Sequence, residues 1–289
     1  MGALIAKKYP TTLFAKLADH TYVECGTGAK AWGCWGGKAG GTAFNSGSGS
    51  TRRADAIAGS NERAGITCYL INGVCHQAAN RILFPAGILV AAARGYAVSS
   101  ALFGAYGKTG FWPCRAPFDK FPRITGDLPA CVSPSSALDP EITPAHTPEE
   151  LHHIMTLRRA YARVESIDIS PLESISFQVR LFETEAKFRL GVEAVRKARG
   201  LRVAKERSEL RHHALVEGFQ QEHMEAAEFI KAFNQLTLDF QDDIANAVSK
   251  DQYSTLLKLD RDDRVLLADP QIIESLYGKA VVRAVYGEG

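Results

Sequence analysis

Apolar and polar positions change rhythm near residue 135. Before it, short apolar runs are broken by glycines and aromatic residues. After it, charged segments carry apolar residues three and four positions apart, the spacing of an α-helix. In the first half, His20-Thr-Tyr-Val-Glu-Cys25 predicts a short strand, Gly26 to Lys30 a hairpin turn, and Ala31 to Trp35 the return strand. Residues 40–65, rich in Gly, Ser, Arg and Asp, predict an irregular loop. Gly65 to Ile71 is an apolar run, a strand or an approach to the helix after it. Asn72-Gly73 predicts a turn. Cys75 to Leu83 predicts a short helix, which Pro85 stops because it has no N–H to donate. Residues 87–98 fit a strand or a buried helix, and periodicity does not separate the two.

The second half predicts helices. Thr147-Pro-Glu-Glu supplies a cap, a proline at the first helical position and acids in the first turn, for a helix reaching about Val164. Ser170-Pro-Leu-Glu opens another in the same way. In it Leu172, Ile175, Val179, Phe182 and Ala186 alternate by three and four, a coiled-coil seam, with Gly200 as the break. A further helical stretch covers about residues 203–249, and the whole predicts a long antiparallel hairpin or a small bundle. The segment between the halves is rich in proline, serine and threonine. The expected class is therefore α+β: an N-terminal domain over 1–135, a linker over 136–147 and an all-α domain over 148–289.

Composition narrows the function classes. The 289 residues are 46% hydrophobic and 23% charged, as in a globular protein. No uncharged apolar run is long enough for a membrane span, and the start matches neither a signal peptide nor a myristoylation pattern, so a cytoplasmic protein is expected. All six cysteines fall in the first 131 residues, with no Cys-x-x-Cys pair, and are expected as reduced thiols. Residues 1–140 carry 14 Lys and Arg against 7 Asp and Glu, a mild excess that suits an anionic substrate or partner. It lacks the clustered basic stripe of a nucleic-acid binder.

The candidate chemistry centres on Asn72-Gly-Val-Cys-His-Gln-Ala-Ala-Asn-Arg81. Cysteine in such a segment is commonly a core residue. Cys75, however, heads a predicted helix, where unpaired N–H groups and the positive dipole end favour a thiolate. The same N–H groups can hold an oxyanion. Ala78, Ala79 and Ile82 form the buried stripe, and Cys75 shares their face. A thiolate nucleophile needs a base, and residues 1–140 hold two histidines, His20 and His76. His76 follows Cys75 directly and diverges from it by about 100° around the helix, which leaves His20 as the base and His76 as a possible substrate contact.

A histidine opening a strand hairpin, followed by a cysteine opening a helix, resembles the circularly permuted branch of the NlpC-type, papain-like superfamily, which includes the lecithin:retinol acyltransferase-like proteins. The run Cys75, Ala79, Arg81 is also loosely similar to the cysteine helix of the CHAP amidases, although there the cysteine precedes the histidine. The resemblance covers about residues 15–110. It implies a papain-like N-terminal fold and a Cys75 thiolate attacking an amide, peptide, ester or thioester carbonyl, with no cofactor. In that family a polar residue on the next strand orients the histidine. Ala31-Trp-Gly-Cys-Trp35 offers none, so Asp19, Glu24, Asn45 or a backbone carbonyl would have to substitute.

Several residues have two readings. Asn72 could complete an oxyanion hole or simply form the turn before Gly73. Trp35 could line a cleft or pack in the core. Arg52 and Arg53 could bind a carboxylate or phosphate, or sit in a solvated loop. Glu149 with His152 and Glu209 with His212 share the Glu-x-x-His spacing of di-iron bundles, but on faces read as solvated, so no metal is expected. Two function classes remain. One is a cysteine hydrolase or acyl transferase acting on an amide-containing substrate, whose helical half recognises a partner or self-associates. The other is a non-enzymatic assembly protein whose first half is structural.

Overall fold

The computed structural model describes residues 1–11, 17–33, 38–64, 69–108, 147, 148, 151 and 171–287. It is a mixed α+β fold, a small antiparallel sheet followed mostly by helices. Strand β1 (Gly2–Tyr9), absent from the sequence reading, lies inside a four-stranded sheet of order β3-β2-β1-β4, with β2 at His20–Cys25, β3 at Ala31–Trp32 and β4 at Thr42–Gly49. The expected hairpin at Gly26 to Lys30 joins β2 to β3. The β1–β2 register sets Tyr9 opposite His20 and Leu4 opposite Cys25. Leu4, Ala6 and Val23 are fully buried on one face of this pair. Burying a leucine or valine side chain such as Leu4 or Val23 stabilises by about 1.5–3 kcal/mol.

That face is covered by helices α1 (Thr51–Ala64) and α2 (Cys75–Leu83), through Ala54 and Ile57 of the first and Ala79, Ile82 and Leu83 of the second. The expected loop over 40–65 is thus wrong, since β4 and α1 occupy most of it. The physical reason lies in the glycines. A Cβ on Gly49 would stand 2.9 Å from the backbone of Pro85 and Ala86, and one on Gly47 would stand 3.1 Å from the Ala86 side chain. The strand therefore has to shed side chains to pass this turn, which hides its strand character. Helix α2 starts at Cys75 and ends at Leu83 as expected, with Pro85 in the single 3-10 turn that follows. Residues 87–98 are neither one strand nor one helix. An irregular stretch runs to Gly95, and α3 begins at Tyr96 and ends at Phe103.

Helix α4 (Pro171–Leu190) ends at Gly191, whose φ of +85° breaks the helix earlier than the expected Gly200. In its seam Val179, Phe182 and Ala186 are buried, Ile175 is half-buried and Leu172 is 71% exposed. The seam is therefore shorter than its pattern. After α5 (Val192–Lys197), α6 (Gly200–Gln220) and α7 (Ala226–Ala247) form the expected antiparallel hairpin. The ion pairs Arg207–Asp243 and Arg211–Asp239 fix its register. Helices α8 (Lys250–Leu257), α9 (Pro270–Tyr277) and α10 (Lys279–Tyr286) complete it. Among the described residues no helix is long and apolar enough to cross a membrane.

The helices share a core with the first half. Tyr69, Leu70, Ile71, Val74, Val98, Leu102 and Phe103 pack in one cluster with Phe182, Phe229, Phe233, Phe240 and Ile273. The expected boundary near 135 and the linker up to residue 146 lie outside the described residues.

Candidate functional site

Two adjacent residues of α2 meet two adjacent residues at the start of β2. Cys75 is the first residue of its helix, so its N–H has no intrahelical acceptor. Its Sγ lies 3.8 Å from the Asp19 carbonyl oxygen. Cys75 also stands near enough to His20 to bear on the ionisation of its ring. His20 Nδ1 lies 3.6 Å from an Asp269 Oδ2. Neither ring nitrogen has a hydrogen-bond partner among the described residues, so the Asp269 contact is a long ion pair and not a hydrogen bond. The Tyr9 ring lies over His20 with centroids 4.8 Å apart. Cys75 is 6% exposed, His20 1% and Asp269 6%.

Burial disfavours charge on His20, but Asp269 and Cys75 outweigh it and push the imidazole up to about 9. Asp269 is held for this contact. It caps α9, its Oδ1 accepting the Gln271 N–H at 2.8 Å, which leaves Oδ2 for the histidine. Its own N–H donates to the Tyr69 hydroxyl at 2.6 Å, and that hydroxyl donates to the Leu267 carbonyl at 3.0 Å. Tyr69 is fully buried, and burial raises its pKa well above the ordinary value, so it serves as a neutral hydrogen-bonding link.

Comparisons with protein-family models, curated proteins and solved structures give no match. The chemistry of the site therefore rests on its own residues.

His20 and Cys75 are brought together. The other sequence candidates are not. Glu24 stands four residues along β2 from His20, about 13 Å away at the rise of a strand, and pairs with Lys7 at 3.0 Å. Asp19 turns its carboxylate to the Arg94 N–H at 2.9 Å and to Lys8 at 3.2 Å. Asn45 donates to the Leu89 carbonyl. None of these reaches His20; the carboxylate beside its ring is that of Asp269. Arg52 and Arg53 begin α1, beside Gly2 at the far end of β1, on the order of 20 Å from the His20 end of the sheet. Trp35 lies outside the described residues.

His76 is corrected from substrate contact to internal brace. It is fully buried, with Nε2 3.0 Å from the Asp19 carbonyl and Nδ1 2.8 Å from the Ser99 hydroxyl. A carbonyl only accepts, so Nε2 carries the proton; the single Ser99 hydroxyl proton is shared between His76 Nδ1 and the Tyr96 carbonyl, 2.9 Å away. Burial, opposed by the Asp19 carbonyl, lowers its pKa to about 4, so the ring is neutral. Asn72 is also buried, and its carbonyl accepts the Lys108 N–H at 2.7 Å. Glu209 and His212 lie in the interior and not on a solvated face. Their partners are the ammonium groups of Lys108 and Lys205.

Asp269 was the residue missed. Asp269-Pro270 is a recognisable helix start, and that is how it reads locally. Nothing in its neighbourhood connects it to a histidine in β2.

Proposed function

We propose that this protein is a cysteine hydrolase or acyl transferase acting on an amide or peptide bond, with an N-terminal half of papain-like type in the permuted arrangement. Cys75 is the nucleophile, His20 the general base and acid, and Asp269 the residue that orients His20. The observation that carries this reading is a buried His20 imidazole that has the Asp269 carboxylate 3.6 Å from Nδ1 and Cys75 near enough to bear on its ionisation. An imidazolium held at neutral pH beside a thiol at a helix start favours the ion pair from which such enzymes react.

The sulfur attacks the carbonyl carbon and forms a C–S bond. The carbonyl oxygen becomes an oxyanion facing the N–H of Cys75. The tetrahedral intermediate collapses, the carbon–nitrogen bond breaks, and the His20 proton passes to the leaving amine. Water, or an amine in the transferase case, then gives its proton to His20 and displaces the sulfur from the thioester. Asp269 keeps the ring aligned throughout.

An activated acyl ester tests the assignment without knowledge of the natural substrate. Incubation with p-nitrophenyl acetate should give a burst of p-nitrophenol and one acetyl group on Cys75, seen by peptide mass spectrometry. The burst should vanish in Cys75→Ala with the fold intact by circular dichroism. Acetylation spread over other thiols, or an undiminished burst in Cys75→Ala, would contradict the proposal.

A further inference from the structure

The chain enters the Cys75 helix through a turn in a costly conformation. Leu70, buried, has a φ of +63°. This left-handed geometry costs about 1–2 kcal/mol for a residue with a Cβ. Three hydrogen bonds hold the turn. Leu70 N–H donates to the Gly73 carbonyl at 2.9 Å, Lys108 N–H donates to the Asn72 carbonyl at 2.7 Å, and His212 Nε2 lies 2.9 Å from the Leu70 carbonyl. A Cβ on Gly107, at φ +93°, would stand 2.8 Å from the Asn72 oxygen, so a glycine there permits the approach of Lys108.

The direction of the His212 bond is dictated by its neighbours. Lys108 Nζ lies 2.8 Å from His212 Nδ1. An ammonium only donates, so Nδ1 accepts and the ring proton sits on Nε2, aimed at Leu70. Lys108 Nζ also donates to Glu209 Oε2 at 2.7 Å. The second Glu209 oxygen is taken by Lys205, which donates to the Ala101 and Leu102 carbonyls at 2.7 and 3.0 Å. All four side chains are no more than 2% exposed. Desolvating three charges costs several kcal/mol per ion, and such a network is no guide to stability on its own. Its product is a fixed tautomer and a fixed carbonyl.

We infer that Lys108, Glu209 and His212 are positioning residues, a relay that clamps the Leu70–Gly73 turn and so aims Cys75 at His20. The inference rests on the hydrolase reading above. The helical half then registers the site from both sides, Asp269 on the base and His212 on the approach to the nucleophile.

His212→Asn tests this. Its amide oxygen can still accept from Lys108, but the side chain is too short to reach the Leu70 carbonyl. His212→Gln restores a donor at the Nε2 position. The readout is iodoacetamide alkylation of Cys75 followed over pH. The Asn variant should react at least about tenfold more slowly at pH 7, with the shape of its pH profile changed, and the Gln variant should recover most of the rate. A loss of thermal stability with rate and profile unchanged would show a merely structural network and overturn the inference. If Cys75 of the unaltered chain reacts no faster than a free thiol, the hydrolase reading falls, and this inference with it. Should the Asn variant not fold, hydrogen exchange of the wild-type Leu70 and Lys108 amides decides. Protection equal to that of the α6 core is expected, and exchange a hundredfold faster would overturn the inference.

Discussion

At Cys75 two influences act on one sulfur atom. The helix start supplies an N–H with no intrahelical acceptor and a favourable dipole, and on the proposed function His20 takes the thiol proton. The residue beside it does different work. His76 braces the Asp19 carbonyl, so Cys75-His76 and Asp19-His20 lock as two adjacent pairs. The two roles were partly legible, because a helical step of about 100° already separates His76 from the thiol's direction. What His76 touches instead was not legible, since Ser99 and Asp19 are brought to it by tertiary packing. The tautomer of His76 is open to measurement. Long-range 15N–1H spectra should show a proton on Nε2 and a neutral ring down to about pH 4. The folded value lies below the 6.5 of an unfolded histidine, so the stability it contributes is complete above pH 6.5 and is lost as pH falls toward 4. A ring already charged at pH 6 in the folded protein would contradict the brace.

Among the elements, α2 carries the most information. Its bounds followed from the turn before it and the proline after it, both local signals. Strand β4 and helix α1 did not, because the glycines of β4 answer to the closeness of Pro85 and Ala86, a tertiary fact. Helix α2 is fixed at its start by Gln77, whose Oε1 accepts the Val74 N–H at 3.1 Å while Nε2 donates to the Ser99 hydroxyl at 3.2 Å and the Gly104 carbonyl at 3.1 Å. This one buried side chain ties the Cys75 helix to α3. Gln77→Ala leaves these groups without their partner, and urea unfolding should show a loss of about 2–3 kcal/mol. A loss below about 0.5 kcal/mol would mean that the helix start is held by something else.

Across the whole molecule, the helical half packs against the first half and brings Asp269 to His20. Sequence patterns showed that it was helical and where its hairpin lay, but treated it as a separable unit. The shared cluster of Leu70, Val74 and Phe103 with Phe229 and Phe233 joins it to the first half. Asp269 then reaches His20 from the start of α9. On the proposed function this carboxylate, supplied from the far half of the chain, keeps His20 protonated and Cys75 reactive. The direct measurement is the pH profile of Cys75 alkylation in the wild type and in Asp269→Asn. Because the imidazole is pushed up to about 9 by Asp269 and Cys75 against its burial, the wild type should react at least about tenfold faster at pH 7, with the two profiles converging above pH 9. Superimposable profiles in two equally folded proteins would contradict the account.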